Sequence, residues 1–449
     1  MSTSNFTMGP CQWVGIKFYI WSFMKMFRTA IPLLWAFLLI QPNIGWVLAQ
    51  SADPVDWEYD INLMGKELAE KHVNLFFLSD SAAFYQGLDR VIARAGQETF
   101  FGNAVNLQQV VATLGDENTR INYHYRVDPG QMIPLQLYWF EEGVYVLGSL
   151  RRHHAILGKR IRAINGVPLD EIADSMATLL PANQPGMLRE EFPKMVTWMQ
   201  LLEHFGIASA DRCIIAYELE EGKLGSLNLS LPEEEDVTEL VEPETVPLAW
   251  KERKSYFREH YMETDRLYYI QYNKCWSREV EEVHGSGASA LFMPSYKEFE
   301  KKVIQTLRRN GADKIVLDLR FNDGGEPDQG SQFIQKLSKL KIKGTGQFFL
   351  IVGPKTRGAA LQNAFEYIAA TGAVVVGESS GGKPNHFGGV KRFVLPETNL
   401  IVNYSTRFIS LVEGDPPSLI PDRLTPLSFK QYLQGIDPAL EAILSDPHP

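Results

Sequence analysis

A chain of 449 residues with 45% hydrophobic and 22% charged residues has a globular composition and is too long for one ordinary core, so two or three domains are expected. The formal net charge of -10 argues against nucleic acid as the main partner and serves solubility instead. Neither a Cys/His spacing of the metal-binding kind nor a phosphate-cradling glycine loop occurs, so no metal and no cofactor are expected.

The first fifty residues do not read as fold. From Met24 the string "MKMFRTAIPLLWAFLLIQPNIGWVLAQS" has a basic start at Lys25 and Arg28, an apolar middle over 30–40 and a small-residue exit at Val47, Leu48 and Ala49. That is the grammar of a secretory signal, with cleavage expected near Ala49 and Gln50 and residues 1–49 set aside; Met1 and Met24 both stand as the start. Pro32, Pro42, Asn43 and Gly45 break the run against a membrane anchor, and no later stretch is apolar enough to span. The expectation is an exported protein, periplasmic or extracellular, with no stable membrane span after signal removal. Cys11 falls in the discarded part, leaving Cys213 and Cys275. Two readings stand for them, one disulfide or two separate buried thiols.

From 56 to 114, "INLMGKELAEKHVNLFF", "AAFYQGLDRVIARAG" and "NAVNLQQVVATLG" place apolar residues three and four apart, which predicts an N-terminal helical unit over 50–130. A small β-rich module follows, in which Asn165 and Gly166 signal a hairpin turn. Further helical and strand-rich text leads to the acidic run "LPEEEDVTELVEPETVPLAW", a solvated connection closing a segment over 131–250. Over 251–449 strands such as "KIVLDLR", "GQFFLIVG" and "AVVVGE" alternate with amphipathic helices, which predicts a layered α/β core with its ligand site where loops leave the strand ends.

Two places in this core invite chemistry. Gly377, Glu378, Ser379, Ser380 and Gly381 form a G-x-S-x-G string after a strand, but "GKPNHFGG" follows where a nucleophile elbow needs a helix, so a structural turn accounts better for the two serines. One unit earlier, "FFLIVGPKTRGAALQNAFEYI" has the strand-to-helix junction and no nucleophile; Thr356 is expected to cap that helix. Asp318 and Arg320 are expected to pair structurally at a buried strand end.

"KIVLDLRFNDGG", "KTRGAALQNA", "VVVGESSGGKPNHFGG" and "LPETNLIVNYSTRF", with "IPDRL" and "YLQGIDPALEAIL", resemble the core of the tail-specific, C-terminal-processing serine peptidases, in the branch similar to tricorn-type and retinoid-binding relatives. The resemblance implies a superhelix of ββα units like the crotonase and Clp protease cores, and a PDZ-like reading of "GKRIRAINGVPLDEI". Aligning Thr356, Asn363, Ala373 and Gly377 without a gap puts Gly358 at the position of the family's serine and Lys383 at that of its base. Some tricorn-like members draw a base histidine from a "GD-x-HT" motif, and "LGDENT" places Asn118 there.

Glycine offers no nucleophile, so acyl transfer through position 358 is excluded. What the resemblance leaves is binding apparatus: the amides of Gly324, Gly325 and Ala359 as an anion pocket, with Arg357 as a fixed positive charge. For Lys383, a relic base and an ordinary loop residue both stand. His386 either orients a ligand or bonds its own loop, and Ser405 either approaches the site or simply alternates along a strand. The leading expectation is an impaired peptidase homologue that binds peptides or protein C-termini. The alternatives are an active serine-type peptidase using Ser380, Ser379 or Ser405 beside Lys383, and a carrier of an apolar small molecule.

Overall fold

The computed structural model describes residues 55–182, 184–220, 222–231, 240–344 and 346–446. The signal-like segment with Met1, Met24 and Cys11, and the acidic stretch 232–239, lie outside them. Among the described residues no helix is long and apolar enough to cross a membrane.

Three helices come first, α1 (Trp57–Lys71), α2 (Ser81–Arg94) and α3 (Phe100–Ala112), each started by a side-chain cap: Asp56, Asp80 and Thr99 accept from Tyr59, Ala83 and Gly102 N–H groups. Their apolar faces bury Ile61, Met64, Leu68, Phe84, Leu107 and Val111. A short strand β1 (Arg120–Ile121) is followed by the hairpin of β2 (Leu135–Phe140) and β3 (Gly143–Ser149). Next come β4 (Ile161–Ile164), β5 (Val167–Pro168), α4 (Leu169–Ala177), α5 (Pro185–Met195), α6 (Met199–His204), β6 (Ile214–Glu220) and β7 (Lys223–Asn228). Asn165 and Gly166, at φ 49° and 84°, make the turn between antiparallel β4 and β5 as their sequence signals.

The remaining elements are α7 (Leu248–Lys251), β8 (Phe257–Met262), β9 (Leu267–Tyr272), α8 (Arg278–His284), α9 (Tyr296–Asn310), β10 (Lys314–Asp318), α10 (Pro327–Ser338), β11 (Gln347–Val352), α11 (Ala359–Thr371) and β12 (Val374–Gly377). They are followed by β13 (His386–Gly388), β14 (Lys391–Val394), β15 (Ile401–Tyr404), β16 (Arg407–Ile409), β17 (Arg423–Leu424), α12 (Phe429–Leu433) and α13 (Pro438–Leu444). The main sheet has the order β17-β12-β11-β10-β9-β8, all neighbours parallel except β8 with β9. β9 and β10 are buried throughout, which is why they read as mostly apolar runs rather than alternations. Parallel neighbours require crossovers, and α9, α10 and α11 supply them. The architecture is therefore mixed α/β, with the loops after β10 and β11 leaving the same edge of the sheet.

One pairing spans the sequence. β1 pairs antiparallel with β15, Arg120 opposite Asn403, and the apolar cluster of the first three helices takes in Leu395, Leu400, Val402 and Tyr404. Segment 114–120 is thereby fastened to strands that follow the main sheet in the chain. Asp60 helps by accepting from the Thr398 N–H and hydroxyl at 2.7 Å each.

At the end of β10 the expected pair is present and larger than expected. The Arg320 guanidinium bonds Asp318 at 2.8 Å and Asp437 at 2.9 Å, Tyr269 donates to Asp318 at 2.5 Å, and Asp437 caps α13. Cys213 and Cys275 are buried free thiols, which selects the two-thiol reading over the disulfide. Burial pushes Cys213 up to about 11 and Cys275 up to about 12. Both thiols are expected to resist an aromatic disulfide reagent in the native protein and to react once it is unfolded without reductant; a disulfide-linked peptide in a non-reducing digest would overturn this.

Candidate functional site

The loops after β10 and β11 meet segments 117–120 and 274–276 around a cavity of about 450 Å³ that Gly358 lines. Gly358 is the residue before α11, at φ 55° and ψ -127°. That is the strained backbone of a tight strand-to-helix elbow, which a side chain occupies only at a cost. Space is not the obstacle, because a Cβ there would meet only the Asp323 carbonyl and the Gly324 Cα, both at 4.0 Å. Thr356 is not the helix cap expected of it. Its buried Oγ1 accepts from Gly353 N–H at 3.1 Å and donates to the Leu319 carbonyl at 2.9 Å, holding the loop to β10.

The loop "NDGG" is shaped by Asn322, which donates to the Tyr272 carbonyl and accepts the Gly324 N–H at 3.0 Å. Of the two glycine amides expected in the anion pocket, that of Gly324 is therefore already engaged. The amides of Gly325 and Ala359 have no acceptor among the described residues. Gly324 contributes by absence of bulk: a Cβ on it would lie 3.2 Å from Ala359 N. Gly325 sits at φ 130°, where a Cβ would collide with the Cys275 carbonyl. Of these two unpaired N–H groups, that of Gly325 belongs to a residue lining the cavity, and that of Ala359, at the start of a thirteen-residue helix, follows directly on the lining Gly358.

Charged side chains surround them. Arg357 pairs with Glu191 at 3.1 Å. Lys274 bonds Asp323 at 2.7 Å, and Lys355 stands 3.7 Å from the same carboxylate. Against the opposing effect of burial, those two lysines hold Asp323 below the usual carboxylate range. Arg120 is exposed at the cavity wall and has no ion-pair partner among the described residues. Glu117 is 8% exposed and neither of its oxygens is hydrogen bonded within the described residues, its Oε2 being sealed from solvent. Tyr256 and Trp276 supply the apolar part of the wall.

Asn118 lines the same cavity as Gly358, its Nδ2 donating to the Phe387 carbonyl at 2.8 Å. Lys383 does not line it: the ammonium bonds Asp415 at 2.7 Å in a neighbouring recess, although Gly382 beside it packs on the Arg357 backbone. His386 uses Nδ1 on the Lys383 and Pro384 carbonyls, the loop-bonding arrangement. Ser380 donates to the Gly382 carbonyl and accepts from Leu419 N–H, and a β-strand, not a helix, follows its loop. Ser379 is half-buried in that turn. Ser405 is fully buried and outside the cavity lining. Glu117, Arg120, Lys274, Asp323, Tyr256 and Trp276 were not singled out from sequence; Glu117 had a signal in its place beside Asn118 in "LGDENT", and Asp323 in its place within "FNDGG".

No protein-family model matches the chain, and no curated protein matches it. Solved structures do. Mature CPAF is 10% identical with a TM-score of 0.58, covering 86% of this chain and 96% of that one. Mature CPAF complexed with lactacystin is 9% identical with a TM-score of 0.57, covering 86% and 97%. At such identity the likeness shows a shared fold. The tricorn protease is 12% identical over 86% of this chain and 36% of its own, with a TM-score of 0.41.

Proposed function

We propose that this protein is an exported homologue of the tail-specific serine peptidases that lacks acyl-transfer chemistry and binds peptides or protein C-termini in the cavity beside Gly358. The observation that carries this reading is the elbow itself: a strained strand-to-helix turn with room for a side chain, occupied by glycine, with the unpaired Gly325 amide in the same cavity wall and the unpaired Ala359 amide next in the chain. A carboxylate placed there meets the Gly325 and Ala359 N–H groups and the unpaired Arg120, while Tyr256 and Trp276 take an apolar side chain. In this reading the main sheet and its helices correspond to the family's ββα superhelix, β4 to β7 to its PDZ-like module, and residues 1–49 to a removed signal.

The test compares fluorescent peptides ending in a free carboxylate with the same peptides ending in an amide. The acid form is expected to bind about tenfold or more tighter, the equivalent of one charge-assisted hydrogen bond, and Arg120→Ala to erase most of that preference. Equal binding of acid and amide throughout the panel would overturn the reading.

A further inference from the structure

Glu117 is a carboxyl group where a carboxylate site should repel one. It lines the cavity next to Gly358, is more than nine-tenths buried, and forms no hydrogen bond within the described residues. An ionised carboxylate so placed leaves its sealed Oε2 without a hydrogen bond away from water, which is unfavourable; a neutral carboxylic acid is tolerated and carries one O–H donor.

Resting on the reading of this cavity as a carboxylate site, we propose that Glu117 is a binding residue that stays protonated and donates its O–H to the carboxylate of the bound peptide. The ligand then accepts from a carboxylic acid as well as from backbone amides, and the two carboxyl groups share one proton. No bond other than this hydrogen bond forms, and above the pKa of Glu117 the proton is taken up from solvent on binding.

The surroundings fit. Arg357, from the loop before α11, and His386, on β13, act on Glu117 from two sides, with Asp116 and Arg120 on its own segment. Lys383 and Asp415 line the small recess behind it and are paired with each other. Burial raises the Glu117 carboxyl above its usual range against the opposing pull of Arg357 and His386. His386 spends Nδ1 on the Lys383 and Pro384 carbonyls, and its Nε2 is buried without a hydrogen-bond partner among the described residues.

The sign follows. Protonated Glu117 attracts the ligand carboxylate and ionised Glu117 repels it, so affinity falls as pH rises, by about tenfold per unit once above the pKa of the free site. The test titrates N-acetyl-Ala-Ala-Phe, as acid and as amide, against wild type and Glu117→Gln from pH 5 to 9, with calorimetry in two buffers of different ionisation enthalpy to count protons. Glutamine keeps an N–H donor and cannot ionise. The expected result is weakening and proton uptake in wild type at high pH, and nearly constant affinity without proton uptake in Glu117→Gln. Acid-selective binding with no pH dependence in wild type, or with the same dependence in Glu117→Gln, would overturn this role and leave the binding site standing. Loss of acid selectivity at every pH in both proteins would overturn the site as well.

Discussion

The double variant Gly358→Ser/Asn118→His is expected to hydrolyse a quenched peptide about 10² to 10⁴ times faster than Gly358→Ser alone, the contribution a positioned general base makes. Both positions line one cavity. A histidine at 118 can inherit the bond that Asn118 makes to the Phe387 carbonyl at 2.8 Å, which fixes one ring N–H and leaves the other nitrogen to take the serine proton. The amides of Gly325 and Ala359 then receive the developing oxyanion. Serine alone should fail because Lys383 is held by Asp415 and does not reach the cavity wall. A side chain at φ 55° should also cost about 1–3 kcal/mol of stability, visible in urea unfolding. Wild-type hydrolysis that survives purification and depends on another serine, or a single variant as fast as the double, would contradict the argument.

The largest effect on stability is expected from Arg320→Met, a loss of about 3–5 kcal/mol on chemical unfolding, because a buried ion pair broken on one side strands its partners. Asp318 is fully buried and Asp437 is 5% exposed, and each loses the guanidinium that bonds it. Asp437 also caps α13, whose apolar face packs on Tyr269, Val316 and Ile351 on the opposite side of the sheet from the site helix α11. The variant should therefore loosen the end of the chain first, seen as early amide exchange over 437–446. A loss under about 1 kcal/mol would mean the network is replaceable by packing.

Much of the fold was legible because its signals are local. Helix α9 announces itself through apolar residues three and four apart and a stopping Gly311, and β9 and β10 through short apolar runs between turn residues. The Asn165 and Gly166 turn was readable because few other residue pairs tolerate two positive φ angles. Thr356 was misread because a hydroxyl near a helix start signals a cap, whereas here its oxygen accepts from the Gly353 N–H and its proton goes to the buried Leu319 carbonyl.

The site was legible only as a gap. From the sequence alone came the one irreversible chemical fact, that position 358 carries no side chain, since backbone identity needs no folding to be known. Which amide of "NDGG" is unpaired, where Lys383 spends its charge, and whether two cysteines meet were decided by tertiary structure. So was the presence of Glu117 and Arg120 beside Gly358, which depends on β1 pairing with β15 across the length of the chain. Hydrogen-bond partners and burial are properties of neighbours in space, and neighbours hundreds of residues apart leave no local pattern for a sequence to show.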